Sequence, residues 1–185
     1  MKIAGLLMSA VMAMNAPVYG ESNGQKMFDG LKSLAGTWQG RMSTSPKSEG
    51  VEGTLTTVTM RVTSMGNVLM HEMVGEGRPD DPITMMYLDG ERLALTHYCD
   101  AGNRPRMVAS MSEDGKSVEF DFLDVAGPTT YGYMREARFT LIDAEHHIQE
   151  WRFMRPGDKP VVARVELRRV GGPVPAPAAA GAHNH

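Results

Sequence analysis

Three absences exclude whole classes of protein. The 185 residues contain one cysteine, Cys99, which excludes a disulfide framework and a cysteine-rich metal site. Its 19 Lys and Arg residues do not outnumber its 22 Asp and Glu residues, so the chain lacks the basic stripe of a nucleic-acid-binding protein. A phosphate-binding glycine loop, a Gly-x-Ser-x-Gly turn and a His-Glu-x-x-His motif are also missing. No motif therefore names a reaction.

The sequence also lacks an apolar run long enough to cross a membrane as a helix. The longest candidate, residues 3–14, is too short to span a bilayer as a helix. It follows the positively charged residue Lys2. Val18 and Gly20 then stand at the −3 and −1 positions of a signal-peptidase site. We therefore predict a signal peptide over residues 1–20, cleaved near Gly20. The mature protein would be periplasmic or secreted and have no transmembrane segment.

The other end of the chain is compositionally unlike the rest. Residues 171–185 are almost entirely Gly, Pro, Ala and His, and such a segment cannot bury a core. We predict a disordered tail there. Removing both ends leaves residues 21–170, roughly 150 residues, which suits one domain with one core.

Hydrophobic periodicity within this domain predicts one helix followed by strands. Helical spacing of apolar residues predicts a helix from Gln25 to Leu34 that ends at Gly36. The pattern then changes to a period of two, with turn signals such as Asp89-Gly90 and Asp114-Gly115. About nine or ten short antiparallel strands predict an all-β fold, either an up-and-down barrel or a sandwich.

Pairing the strands across the turns predicts which side chains face the core. A loop at Met65-Gly66, for example, pairs Met60 with His71 and leaves polar residues on the opposite face. Both faces of the Asp89-Gly90 hairpin are partly apolar, and we take the face that carries His97 as the inner one. For the hairpin at Met65-Gly66 the predicted inward residues are Val58, Met60, Val62, Leu69, His71 and Met73. For the hairpin at Asp89-Gly90 they are Met86, Leu88, Leu93, Leu95, His97 and Cys99, and for the hairpin at Asp114-Gly115 they are Met107, Ala109, Met111, Val118, Phe120 and Phe122.

The turn at Asp143–Glu145 determines the register of a further hairpin. A three-residue loop pairs Arg138 with Glu150 and Glu136 with Arg152, which places opposite charges together on the outer face. This register sends inward Arg135, Ala137, Phe139, Leu141, His147, Gln149, Trp151 and Phe153. A guanidinium in that position needs a carboxylate, a water molecule or a ligand oxygen as its partner.

The start of the strand region carries a resemblance to known barrels. Gly36, Trp38 and Gly40 form a Gly-x-Trp-x-Gly motif directly after the predicted helix. Gly-x-Trp in this place resembles the start of lipocalin-like (calycin) barrels, and the longer motif resembles the opening of nitrobindin-type haem-binding barrels. Residues 34–170, including the stretch 95–99, look like the uncharacterised exported lipocalin-like proteins of bacteria. The resemblance implies a closed barrel with a ligand-sized interior and Trp38 plugging one end.

These observations lead us to expect that the barrel binds or carries a small, largely apolar molecule. Arg135, Gln149 and a histidine would hold its polar end, which the arginine suggests is acidic. Trp151, Phe120 and inward methionines would hold its apolar body. The predicted ligand-binding residues are Arg135, Gln149, Trp151, His71, His97, His147 and Phe120.

Two other interpretations of the same barrel stay open. If His71, His97 and His147 converge, they could bind a metal ion or haem, or serve a histidine-dependent enzyme. Methionine and histidine in an exported protein also suggest copper. If the interior is packed instead, the barrel has a structural role. Neither the cofactor nor the metal is specified by the sequence.

Overall fold

The computed structural model describes residues 21–79 and 81–172, where the chain forms one helix and ten strands. The predicted signal peptide and the tail beyond residue 172 lie outside the described residues. The helix α1 spans Asn23–Lys32, and a short 3-10 turn at Ser64–Gly66 follows the second strand. The strands are β1 (Gly36–Ser45), β2 (Leu55–Thr63), β3 (Val68–Gly75), β4 (Ile83–Asp89), β5 (Arg92–Tyr98), β6 (Arg104–Met111), β7 (Ser117–Ala126), β8 (Tyr133–Asp143), β9 (His146–Arg155) and β10 (Lys159–Gly171).

The strands form a closed antiparallel barrel in which each strand pairs with its neighbours in sequence and β10 pairs with β1. This confirms the predicted all-β up-and-down barrel. Strand β10 continues to Gly171, one residue into the segment predicted as a tail, because Gly171 pairs with Thr37 of β1. Closure satisfies the hydrogen bonds that an open sheet would leave exposed at its edges.

The hairpin registers agree with those predicted from the turns. Met60 pairs with His71 across the β2–β3 turn, and Gly90 and Gly115 adopt the positive φ angles, 63° and 71°, that favour glycine in tight turns. In the β8–β9 hairpin Glu136 pairs with Arg152, and their side chains form an ion pair of 2.9 Å. Arg138 pairs with Glu150 in the ladder.

Met111 was predicted to face inward but does not belong to the core. Met111 is 45% exposed, although its register partner Val118 is buried as expected. Met111 is the last residue of β6, at the rim of the barrel, where its side chain extends past the packed interior. Strand alternation therefore predicts the face of β6 on which Met111 lies, but not its position along the barrel axis.

Helix α1 covers one end of the barrel. It begins at Asn23, earlier than predicted, because Ser22 caps it: the Ser22 hydroxyl accepts a hydrogen bond from the Gln25 backbone N–H. Its buried face packs against the β4–β5 hairpin, where Gly24 approaches the Glu91 carbonyl closely. Among the described residues, no helix combines the length and the apolar character needed to span a membrane.

Trp38 closes the same end from the inside. The residue is fully buried, and its indole N–H donates to the Leu34 carbonyl just after α1 at 2.8 Å. The Arg169 guanidinium covers the indole ring at 4.0 Å from its centroid. Trp38 therefore fills the interior of the barrel at the end that α1 covers.

Candidate functional site

Protein side chains fill the half of the barrel nearest α1. Trp38 lies edge-on to His147 with ring centroids 4.3 Å apart, and Phe120 meets Phe139 at 5.9 Å. The other fully buried apolar side chains of the core include Met60, Leu69, Met86, Leu93, Leu95, Met107 and Leu167. The interpretation of a filled barrel therefore describes this half of the molecule.

A buried polar network passes through the packed interior and is centred on Gln149. The Gln149 carbonyl oxygen accepts from the Trp151 indole N–H at 3.2 Å and from Nε2 of His71 at 2.9 Å. Its amide nitrogen donates to Nε2 of His147 at 3.1 Å. An indole N–H is only a donor, so it fixes the amide orientation and with it the tautomers of both histidines.

Burial keeps these histidines uncharged. Desolvation lowers the pKa of His71 to about 4 and that of His147 to about 3. In both rings Nδ1 is buried without a hydrogen-bond partner. Both histidines therefore serve as neutral groups in the core, bonded to an amide rather than to a carboxylate.

His97 lies in the same row of the sheet as His71 but has a different partner. Thr84 of β4 pairs with His71 on one side and with His97 on the other. The Thr84 hydroxyl is 2.8 Å from Nδ1 of His97, and this threonine is fully buried. Burial also lowers the pKa of His97 to about 4. The imidazole is thus held in one orientation and remains neutral.

The three histidines do not converge on one point. His71 and His97 lie on either side of Thr84 and contact Trp151 with ring centroids 5.4 and 5.5 Å apart, whereas His147 lies beside Trp38. In residues 21–79 and 81–172, no group of three or more His, Cys, Asp and Glu side chains could hold a metal ion. A three-histidine metal centre finds no support in this geometry.

Arg135 does not face the interior, which corrects the prediction made from strand alternation. Met134 pairs with Phe153 and Glu136 pairs with Arg152, so Arg135 is an extra residue in a bulge. Its side chain is 44% exposed and lies over the Phe122 ring at 5.3 Å. The bulge turns Met134 inward in its place.

The bulge lies where β7 and β8 separate. Their ladder covers only Ser117–Phe120 and Ala137–Thr140, although β7 continues to Ala126. Beyond the ladder the Phe122 ring of β7 and the Tyr133 ring of β8 contact each other, with centroids 5.3 Å apart. Side chains rather than backbone hydrogen bonds therefore complete this part of the wall.

A cavity of about 340 Å³ opens at the end of the barrel opposite α1. We call it the mouth pocket. Its apolar wall includes Met42, Met73, Met134, Phe153, Val161 and Ala163. His97 lines it and is 5% exposed, while the charged residues Arg78, Asp100 and Arg155 are exposed at its outer edge. A mostly apolar cavity of this size with a few polar groups is typical of a small-molecule site.

Of the seven residues predicted to bind a ligand, one lines the mouth pocket, namely His97. The buried side chains of Gln149, Trp151, His71, His147 and Phe120 form the packed layers beneath it. Contact of these five with a ligand stays a prediction. Met73, Phe153 and Cys99 were predicted to face inward and do line the pocket, but strand alternation gave no sign of their depth.

The residues at the pocket edge carry no signal in the sequence. Arg78 and Arg155 lie beside turns, where no alternation pattern applies, and Arg155 donates a hydrogen bond to the Ser48 hydroxyl at 2.8 Å. Ser48 is 107 residues away in the chain. Only the closure of the barrel brings these segments together.

Comparisons with known proteins support the fold. No protein-family model and no curated protein matches this chain. Among solved structures, it is similar to a protein of unknown function from the DUF3598 family of Nostoc punctiforme PCC 73102, with a TM-score of 0.51, 14% identity and coverage of 76% of this chain. The match covers 49% of that chain, so this chain spans about half its length. At this identity the likeness shows a shared barrel fold alone.

Proposed function

We propose that this chain is a lipocalin-like barrel that binds a small, largely apolar molecule in the mouth pocket. The observation that carries the proposal is the pocket itself, a cavity of about 340 Å³ walled mainly by apolar side chains in a barrel whose other half is filled. Burying apolar surface of a ligand there contributes roughly 25 cal/mol per Å² before the costs of association.

Filling the pocket tests this proposal. Ala163 lines the pocket and faces Trp151 of β9 in the ladder, so Ala163→Trp places an indole in the cavity. We expect the wild type to bind the uncharged fluorescent probe N-phenyl-1-naphthylamine and the variant to bind it at least about tenfold more weakly, which corresponds to about 1.4 kcal/mol. Fluorescence titration measures both.

The matched control is Ala144→Trp, which adds the same indole at an exposed turn position between β8 and β9, at the α1 end of the barrel. The control should bind the probe as the wild type does. Equal binding by wild type and Ala163→Trp would remove the mouth pocket as the site. Absence of binding by the wild type would favour the structural interpretation.

Binding of haem or a metal ion is a second candidate, and one observation favours it. Histidines that ligate metals usually hold their second ring nitrogen in a hydrogen bond, as His97 does with Thr84. In this case the imidazole of His97 would hold the metal, and the methionines that line the pocket would supply apolar contacts to the group. Titration with hemin should then give a sharp Soret band that His97→Phe abolishes, whereas binding confined to apolar probes would exclude this candidate.

We also propose that the protein is exported. The support is the positive start at Lys2, the short apolar run over residues 3–14 and the small residue Gly20 before the predicted cleavage site. Mature protein from the native host should begin at or near Glu21. Intact-mass measurement of periplasmic or secreted material checks this, and retention of Met1 would refute it.

A further inference from the structure

We propose that His97 recognises the ligand, and that the ligand is an uncharged small molecule with one hydrogen-bonding oxygen or nitrogen on an apolar body. The molecule would enter polar end first. This inference rests on the proposed function, because it names the class of molecule that the mouth pocket takes.

His97 differs from the other buried histidines in its position. His71 and His147 use Nε2 to bond Gln149, and they do not line the mouth pocket. His97 uses Nδ1 to bond Thr84, which leaves Nε2 as the polar atom that its ring can offer to the cavity. Among the described residues, the hydrogen bond of this ring is made at Nδ1, and Nε2 is not one of the fully buried atoms that lack a partner.

His97 is also held in place before any ligand arrives. Its ring is fixed at one nitrogen by the fully buried Thr84 and packs against Trp151 with centroids 5.5 Å apart. A polar group that is already fixed loses little conformational entropy when it binds. Such groups give orientation and specificity in pockets that are otherwise apolar.

The positions of the charged residues around the pocket favour an uncharged ligand. The charged residues that line the pocket, Arg78, Asp100 and Arg155, are all exposed at its outer edge. The partners of His97 deeper in the barrel are a hydroxyl and an indole ring. A carboxylate placed beside His97 would lose its hydration without gaining a cation, whereas a carbonyl, hydroxyl or ether needs only one hydrogen bond.

Three competitors of one size separate these possibilities: naphthalene, 2-naphthol and 2-naphthoate. Each would displace N-phenyl-1-naphthylamine from the wild type, from His97→Phe and from Thr84→Val. We expect the wild type to prefer 2-naphthol over naphthalene by about tenfold, the scale of one hydrogen bond, and over 2-naphthoate by more. His97→Phe keeps an aromatic ring beside Trp151 and should bind naphthalene and 2-naphthol equally well.

Thr84→Val removes only the hydroxyl that orients the imidazole, so it should reduce the preference while still binding naphthalene. Thr96→Val is its matched control, because Thr96 bonds the Tyr87 hydroxyl away from the pocket. It should keep the full preference. Circular dichroism and thermal melting identify any variant that does not fold.

Two results would overturn the inference. A preference for 2-naphthol that persists in His97→Phe would show that another group recognises the oxygen. Strongest binding of 2-naphthoate would place the polar end of the ligand at the arginines of the pocket edge. Failure of the wild type to bind N-phenyl-1-naphthylamine, naphthalene and 2-naphthol would instead refute the proposed function, and this inference with it.

Discussion

Single residues show how the interior combines polar groups with a dry core. Gln149 supplies both an acceptor and a donor, so one amide satisfies an indole, an imidazole donor and an imidazole acceptor. Leaving any of these groups unpaired in the core would cost about 1–3 kcal/mol. The buried side chains of His71, His147 and Trp151 therefore each find one hydrogen-bond partner in Gln149, and of the three inward histidines His97 is the one that lines the mouth pocket.

The outward position of Arg135 gives a prediction at this scale. Because its side chain is 44% exposed and lies outside the mouth pocket, Arg135→Met should leave affinity for N-phenyl-1-naphthylamine unchanged. Its effect on stability should stay within about 0.5 kcal/mol, as for other surface changes. Fluorescence titration and urea unfolding measure the two quantities. A loss of binding would show that Arg135 does belong to the ligand site.

The sequence contains the signal of this bulge, although the hairpin register alone does not reveal it. In the segment 133–136 an apolar Met134 occupies a position that strict alternation makes outward, and Arg135 occupies an inward one. One extra residue in the strand turns Met134 inward and Arg135 outward. The pairing of Met134 with Phe153 shows this shift. A bulge has no required residue type, so its position became clear only from the ladder with β9.

At the scale of elements, docking of α1 depends on close approach of its backbone to the barrel. A Cβ at Gly24 would lie 2.1 Å from the Glu91 carbonyl oxygen, whereas a Cβ at Gly30 would meet nothing within 4 Å. Gly24→Ala should therefore destabilise the protein by about 1–3 kcal/mol through overpacking. Gly30→Ala should stabilise it by up to about 1 kcal/mol because alanine favours the helix.

Thermal melting of the two variants checks this pair, and each serves as the control of the other. Equal melting temperatures for both variants would mean that α1 does not pack on the β4–β5 hairpin as described. Separation in the predicted directions would support the contact between Gly24 and Glu91 specifically.

Strands and turns could be predicted well because their signals are local. Asp114-Gly115 fixed a register in which Ala109 faces Phe120, and the structure has that pair. The depth of a residue along the barrel axis is not a local property. Met111 and Met107 share one face of β6, yet the first is 45% exposed and the second is fully buried. For the same reason, the sequence identified residues facing inward but could not tell the mouth pocket from the packed half.

For the whole molecule, the buried neutral histidines make stability depend on pH. Burial lowers the pKa of His71 and His97 to about 4 and that of His147 to about 3, whereas in the unfolded chain they titrate near 6.5. Between these values the unfolded chain binds protons that the folded protein excludes. The contribution of these three histidines to the free energy of unfolding is therefore complete above about pH 6.5. It falls as the pH decreases, by up to about 4 kcal/mol per pH unit for three sites.

Urea unfolding at pH 7 and pH 5 measures this dependence. We expect a loss of several kcal/mol at pH 5 and, in His97→Phe, a loss that is smaller by about one third because one of three sites is gone. Equal stability of the wild type at the two pH values would show that the histidines are solvated or charged in the folded protein.

We propose that one half of this barrel is filled and that the other half receives a small apolar molecule. Backbone chemical-shift mapping by NMR tests it most directly, with 2-naphthol added to the ¹⁵N-labelled protein. We expect saturable shifts concentrated at the mouth pocket, around His97, Met73 and Ala163, and small shifts around α1 and Trp38. Shifts concentrated at α1 and Trp38, or no saturable shifts at all, would contradict it.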